Sequence, residues 1–279
     1  MTDRVFPWGP ALLFCPADRP DRYAKALERA DAVILDLEDA VDPSRRAAAR
    51  EALAASDLDP ARVIVRVNPA GGADHDADLA ALELTPYRSV MLPKTEHTAD
   101  LASLDGMRVI ALCETAAGVL AAPELARAEA VLALMWGAED LVASLGGTSS
   151  RNADGSYRDV ARHARSAVLL AAGAAGVHAV DTVHLDIADL DGLRTEAEDA
   201  VAVGFAATAC IHPGQVETVR AAYRPTSEEL ARAESLLAAA EAAGGGVFRF
   251  EGAMVDGPVL AHARAVVRRA SASGAPGQP

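Results

Sequence analysis

The run Ala32-Val-Ile-Leu-Asp-Leu-Glu-Asp39 is apolar and β-branched through its first four residues and closes on three acids. Strict alternation of apolar and polar residues would mark a strand wetted on one face. An unbroken apolar run marks a strand of a parallel sheet, covered on both faces. Asp42-Pro43 comes next, an N-cap with proline at the first helical position, and predicts a helix over Ser44 to Ala55. The stretch therefore reads as one βα unit with acids at the strand's C-terminal end.

The unit recurs outward in both directions. Upstream, Leu12-Leu-Phe-Cys15 precedes a helix over Arg19 to Arg29. Downstream, the strands are Val63 to Val67, Val90 to Pro93, Val109 to Cys113, Val131 to Met135, His178 to Val183 and Ala207 to Ile211. Helical stretches lie between them over Ala77 to Leu84, Ala116 to Ala126, Asp159 to Ala175, Gly192 to Val203 and Gly214 to Tyr223. Eight such units fit an α/β fold of the TIM (β/α)8 barrel type better than a doubly wound sheet. No Gly-x-Gly-x-x-Gly follows the first strand, which removes the usual support for a dinucleotide fold.

The predicted organisation is a barrel catalytic domain over 1–224, a C-terminal helical extension and lid over 225–270, and a flexible tail over 271–279. Thr226-Ser-Glu-Glu229 is a capping box that opens a helix running to about Ala243. Gly244-Gly-Gly246 reads as a hinge or tight turn, and a last helix spans Pro258 to Ala270.

Composition narrows the function. Of 279 residues 51% are hydrophobic, which excludes a disordered chain. A formal charge of −14 argues against nucleic acid or an anionic membrane as the main partner. An aromatic content of 4% argues against base stacking. The start carries no recognisable signal peptide and no apolar run would cross a bilayer, so a cytoplasmic location is expected. Cys15, Cys113 and Cys210 are isolated, with no CxxC spacing, and read as small buried hydrophobes in a reducing compartment.

In such a barrel the chemistry gathers at the C-terminal strand ends. Polar residues concentrate there: Asp36, Glu38 and Asp39, Arg66 and Asn68, Lys94, Glu114, Glu139 and Asp140, His184 and Asp186, and His212. Glu114 and Asp140 close adjacent strands. Neighbouring strands lie about 4.8 Å apart, so the two carboxylates suit one hard cation, and Mg²⁺ typically keeps waters beside one or two carboxylates. Spacing equally allows two solvated acids or an ion pair with Arg66. A guanidinium on an apolar strand needs an acidic partner, and it serves either as a structural salt bridge or as an oxyanion clamp. Trp136-Gly-Ala-Glu-Asp140 runs from strand into loop. Its small residues let a ligand approach the backbone N–H groups of Gly137, Ala138 and Glu139, although a simple tight turn explains them too. Arg19, Arg22 and Lys25 surround the first loop, as a phosphate patch or as a solvated helix face.

Taken together, Leu13-Phe-Cys-Pro-Ala-Asp-Arg19, Val33-Ile-Leu-Asp-Leu-Glu-Asp39, Met91-Leu-Pro-Lys94, Met135-Trp-Gly-Ala-Glu-Asp140, Cys210-Ile-His-Pro-Gly-Gln215 and Phe250-Glu-Gly-Ala-Met-Val-Asp256 resemble the citrate lyase beta subunit family. The chain is similar also to malyl-CoA and citramalyl-CoA lyases of the same HpcH/HpaI aldolase superfamily. The resemblance implies a Mg²⁺ cofactor on Glu114 and Asp140, and a trimeric assembly. It implies an arginine at Arg66 that contacts the keto acid or thioester oxygen, and a carboxylate-binding backbone at Gly137, Ala138 and Glu139. It places coenzyme A near Arg19, Lys25 and Lys94, and an acidic residue, Asp256, that reaches a neighbouring subunit's site. Arg66, Asp256 and Glu38 are the candidate catalytic residues. Related class II aldolases carry a histidine after the second strand. Asp36-Leu-Glu-Asp39 has none, which puts this chain on the CoA-ester side, and His184 and His212 are read as structural.

The implied reaction is retro-Claisen or retro-aldol cleavage of a 3-hydroxyacyl-CoA thioester to an acyl-CoA and a keto acid or ketone. Arg66 would stabilise the enolate oxygen, and Asp256 would do the acid–base work. The alternatives are a citryl-thioester lyase subunit of a multi-protein citrate lyase and a non-catalytic metabolite-binding protein. Within the acidic chain, Arg19, Arg22, Lys25, Lys94 and Arg66 are expected to gather at one barrel mouth.

Overall fold

The computed structural model describes residues 6–244 and 246–273. By contact density the chain divides after Val219 into two compact units.

The first unit is a closed barrel of eight parallel strands in sequential order. They are β1 (Ala11–Pro16), β2 (Ala32–Asp36), β3 (Val63–Arg66), β4 (Ser89–Leu92), β5 (Arg108–Cys113), β6 (Val131–Trp136), β7 (His178–Asp181) and β8 (Ala207–Cys210). Around them lie α1 (Tyr23–Arg29), α2 (Arg46–Ala54), α3 (Ala73–Glu83), α4 (Ala116–Leu125), α5 (Ala138–Ser144), α6 (Asp159–Ala175), α7 (Leu190–Val203) and α8 (Val216–Tyr223). The β4 connection is a 3-10 helix over Thr98–Leu104. Several helices start a few residues from where the sequence places them, α3 at Ala73 instead of Ala77 among them. Arg19 to Arg22 precedes α1 as a loop and a 3-10 turn, because Pro20 disfavours helical backbone at the residue before it, and Arg19 lies at φ −123° and ψ 65°. The loop expected after Trp136 is a single residue, since helix α5 begins at Ala138.

Every strand is almost wholly buried, as the continuous apolar runs require. Side chains alternate along a strand, so residues two apart share a face. The interior cluster takes Leu12, Ile34, Ile64, Leu112, Met135, Val180 and Ala209 from seven strands. One step of two towards the C-terminal end gives Phe14, Asp36, Arg66, Glu114, Gly137, Thr182 and Ile211. These seven residues all line one cavity at the barrel mouth. All three cysteines are buried thiols on β1, β5 and β8. Among the described residues no helix is long and apolar enough to cross a membrane.

The second unit, taken by itself, is a helical hairpin with a small β-ribbon. Helix α9 (Ser227–Ala242) opens on the predicted capping box, in which Thr226 and Glu229 bond each other's backbone N–H. A two-stranded antiparallel sheet follows, β9 (Phe248–Phe250) with β10 (Ala253–Val255), and then α10 (Gly257–Ser273). Leu236, Val255 and Ala263 form its apolar centre. Of the predicted tail, residues 271–273 are the end of α10 and 274–279 lie outside the described residues. Gly245, within the predicted hinge, also lies outside them.

Candidate active site

Register explains the site's first half. Asp36 and Arg66 are direct partners across β2 and β3. Arg66 donates from Nε to Asp36 Oδ1 at 2.7 Å and from Nη2 to Asp36 Oδ2 at 2.6 Å. Its Nη1 lies 2.9 Å from Glu38 Oε2, and its guanidinium sits 4.9 Å from the Phe14 ring. Asp36 also accepts the Glu38 and Ala40 amides at 2.9 and 3.1 Å, which folds the loop beneath the arginine. Burial works against the Arg66 charge. The hydrogen bonds to Asp36 and the charges of Asp36, Glu38 and Glu114 outweigh it and keep the guanidinium protonated. A guanidinium has five N–H donors. Two go to Asp36, and Nη1 meets Glu38 as an ion contact without a hydrogen bond, so both terminal nitrogens keep N–H groups for a ligand. The acidic partners are therefore Asp36 and Glu38, and the expected alternative of a pair with Glu114 and Asp140 does not occur.

Register also explains the second half. Cys113 pairs with Trp136 across β5 and β6, so the next residues, Glu114 and Gly137, lie side by side. A Cβ on Gly137 would fall 2.9 Å from both Cβ and Oε2 of Glu114. Only glycine leaves that room. Glu114 Oε1 accepts the Lys94 amide at 3.0 Å. The Glu114 carboxyl is pushed up to about 8, first by burial, then by the charges of Asp140 and Glu38, with Lys94 and Arg66 only partly offsetting them. Burial and two like-charged neighbours thus both work against the charged form of this carboxyl. Asp140 stands in the first turn of α5, half-buried. The first amides of a helix have no intrahelical acceptor, so those of Ala138 and Glu139 are open to an anion. The Glu139 side chain is exposed and bonded to Ser150.

Glu38 is buried, and burial pushes its carboxyl up despite Arg66 and Lys94. The Lys94 ammonium pairs with Glu38 Oε1 and lies 3.6 Å from Asp39 Oδ2.

Arg66, Glu114, Gly137, Ala138, Glu139 and Asp140 thus meet in one cavity of about 380 Å³. Its remaining wall is largely apolar, with Phe14, Leu112, Met135, Val183 and Ile211. Of the five cations expected at this mouth, only Arg66 lines the cavity itself. Buried Asp36 and Glu38 draw in Arg66 and Lys94, because a buried carboxylate without a counter-charge is costly. Arg19 is half-exposed and paired with Asp21 at 2.8 Å. Lys25 lines a neighbouring groove with Arg22, Arg29 and His212–Gly214, which shares Phe14, Pro16 and Ile211 with the cavity. Arg29 escaped the sequence reading, although 22, 25 and 29 fall at helical spacing. Phe14, Thr182 and Ile211 escaped it too, and the two-residue step from the core was their signal. The histidines hold structure: His184 Nδ1 lies 2.8 Å from Glu196 Oε2, and His212 caps the turn at Pro213–Gln215. Asp256 belongs to the second unit, where its Oδ1 accepts the Val259 amide at 3.4 Å at the start of α10.

A model of the HpcH/HpaI aldolase/citrate lyase family matches residues 11–213, which is the barrel. The chain belongs to that family. A citrate lyase subunit beta-like protein of Mycobacterium tuberculosis is 57% identical over 262 residues, covering 94% of this chain and 96% of the relative. The mitochondrial citramalyl-CoA lyase of Rattus norvegicus is 30% identical over 295 residues, covering 94% and 86%. A crystal structure of the CitE protein of Mycobacterium tuberculosis, in complex with magnesium, acetoacetate and coenzyme A, has a TM-score of 0.90 at 57% identity. It covers 95% of this chain and 98% of that one. Of the residues singled out in the sequence, Arg66, Glu114, Gly137, Ala138, Glu139 and Asp140 line the cavity, and Arg19, Lys25, Glu38, Lys94 and Asp256 do not.

Proposed function

We propose that this family member is a Mg²⁺-dependent carbon–carbon lyase that cleaves a 3-hydroxyacyl-CoA thioester into an acyl-CoA and a keto acid or ketone. The observation that carries this is the corner of Glu114 and Asp140 beside Arg66 in one cavity, in a chain so similar to a protein that binds magnesium, acetoacetate and coenzyme A.

The corner fits the metal. Glu114 and Asp140 both line this cavity, and Asp140 is the like charge that acts most strongly on Glu114. Two carboxylates with room for water is the set that Mg²⁺ favours. Glu114 is buried with Asp140 as a like-charged neighbour, and a cation between them would relieve both the burial and the repulsion. Glu114 and Asp140 would hold the ion, which when bound supplies Lewis acidity that lowers the pKa of a coordinated oxygen.

The protein's own groups divide the rest of the work. Arg66, oriented by its fork on Asp36, offers its remaining N–H groups to the negative charge that develops on the thioester oxygen as the C2–C3 bond breaks. The amides of Ala138 and Glu139 take the keto acid's carboxylate. Lys25, with Arg22 and Arg29, offers charge to the phosphates of coenzyme A, and Arg19 lies at the same loop. Asp256 is the acid–base group, supplied by a neighbouring copy in a homotrimer, and a cytoplasmic location fits a soluble thioester substrate.

The test is a panel of hydroxyacyl-CoA thioesters (malyl, citramalyl and 3-hydroxy-3-methylglutaryl) given to the purified protein with and without Mg²⁺, reading keto acid or ketone. Cleavage of one that stops on chelation supports the reading. Cleavage only of an acyl-carrier-protein thioester would make the chain a subunit of a larger citrate lyase. Binding without any cleavage would make it a metabolite-binding protein.

A further inference from the structure

Lys94 stands where the two halves of the site meet. It is one of two non-glycine residues with positive φ among the described residues, at 49°. Such a conformation costs free energy in any residue with a Cβ and persists only where the surroundings enforce it. Here the surroundings are specific. Two consecutive amides after β4 both bond towards β5: Lys94 N–H to Glu114 Oε1 at 3.0 Å, and Thr95 N–H to the Leu112 carbonyl at 3.1 Å. Thr95 Oγ1 closes the turn on the Leu92 carbonyl at 2.7 Å. The left-handed φ lets the chain turn between those two amides.

The other end of the residue is held just as firmly. The ammonium pairs with Glu38, whose side chain is only 3% exposed, and has Asp39 as a second carboxylate at 3.6 Å. Glu38 in turn flanks Arg66. Giving this ammonium to a phosphate would take from a buried carboxylate one of its two cations and leave it Arg66 alone, a costly exchange. Lys25, Arg22 and Arg29 line a different cavity and need no such exchange.

We propose that Lys94 is a positioning residue rather than a coenzyme A cation. Its backbone sets Glu114, and its ammonium sets Glu38 and through it Arg66, so one residue holds the carboxylate pair and the guanidinium in register. This rests on the lyase reading and deepens it.

The two functions separate by substitution. Glycine keeps the left-handed turn and the amide but removes the ammonium. Valine keeps an amide but resists positive φ. Circular dichroism and melting establish folding, and calorimetry measures affinity for Mg²⁺ and for coenzyme A, each probed alone. Turnover is read on whichever thioester the parent cleaves.

Lys94→Gly should keep both affinities within about threefold while kcat falls about 10- to 100-fold, the usual effect of losing a residue that orients a site. Lys94→Arg should recover most of that kcat. Lys94→Val should lose Mg²⁺ affinity about 10- to 100-fold. If Lys94→Gly instead weakens coenzyme A binding by about tenfold or more with kcat kept, the residue is a phosphate cation and the proposal is wrong. A folded Lys94→Val that binds Mg²⁺ like the parent overturns the backbone half. Should valine prevent folding, an unchanged kcat in Lys94→Gly still overturns the ammonium half, and unchanged Mg²⁺ affinity there still supports the backbone half. A parent that binds no Mg²⁺ at all refutes the lyase reading instead.

Discussion

Gly137→Ala isolates the closest approach in the site. The added Cβ would sit 2.9 Å from Glu114 Cβ and 2.9 Å from Oε2. Ordinary carbon contacts are about 3.5–4.0 Å, so something must give by roughly 0.6–1 Å. The backbone is not the problem, because Gly137 lies at φ −124° and ψ 119°, which alanine adopts freely. Glu114 cannot simply withdraw: it is 2% exposed, and its Oε1 is held by the Lys94 amide. Overpacking of this kind costs about 1–3 kcal/mol. For a domain of this size each kcal/mol lowers Tm by about 2–4 °C. The displaced carboxylate should also weaken Mg²⁺ about 10- to 100-fold, read by calorimetry beside thermal melts. Gly173→Ala is the control. It lies inside α6 with nothing within 4 Å of the added Cβ, and should stabilise by about 0.5–1 kcal/mol. If Gly137→Ala melts at the parent temperature and binds Mg²⁺ as tightly, the packing of Glu114 described above is wrong.

Three further outcomes are expected. Asp256→Asn should fold and bind Mg²⁺ but lose turnover about 10²- to 10⁴-fold, and turnover at the parental rate would remove it from the mechanism. Asp36→Asn leaves the buried Arg66 short of its main partner and should cost about 3–5 kcal/mol in urea unfolding, with an unchanged midpoint counting against the ion pair as drawn. Asp74 bridges α2 and α3, where hydrogen bonds from Arg50 and then Arg46 hold its carboxyl below the usual range. A depressed folded value means stability that is present above the unfolded pKa of about 3.9 and lost as pH falls through the folded one. The urea midpoints of parent and Asp74→Asn should therefore differ at pH 6 and draw together as pH falls below about 3.9, and a constant gap would show that the charge is not the cause.

The alternation of apolar runs with helices was enough to count eight units and close them into a barrel, because burial on both faces leaves a local trace in each strand. It also put Glu114, Asp140 and Arg66 at strand ends, since the barrel's geometry makes position along a strand equivalent to position in the molecule. Val247 to Val255 shows the limit of that trace. Its three-residue strands are too short to carry a period, and the turn at Glu251 and Gly252 emerges only in the fold.

What the chain alone determined is the architecture and the ring of polar groups at its mouth, both consequences of local periodicity. What only the tertiary structure decided is who pairs with whom. Five cations near strand ends look alike in the sequence, yet Asp36 takes Arg66 through register, Glu38 takes Lys94 through burial, and Lys25 remains with Arg22 and Arg29 in the adjoining groove. Charge pairing depends on distances between residues tens of positions apart and on how little water reaches them. Neither quantity is written in any short stretch of sequence.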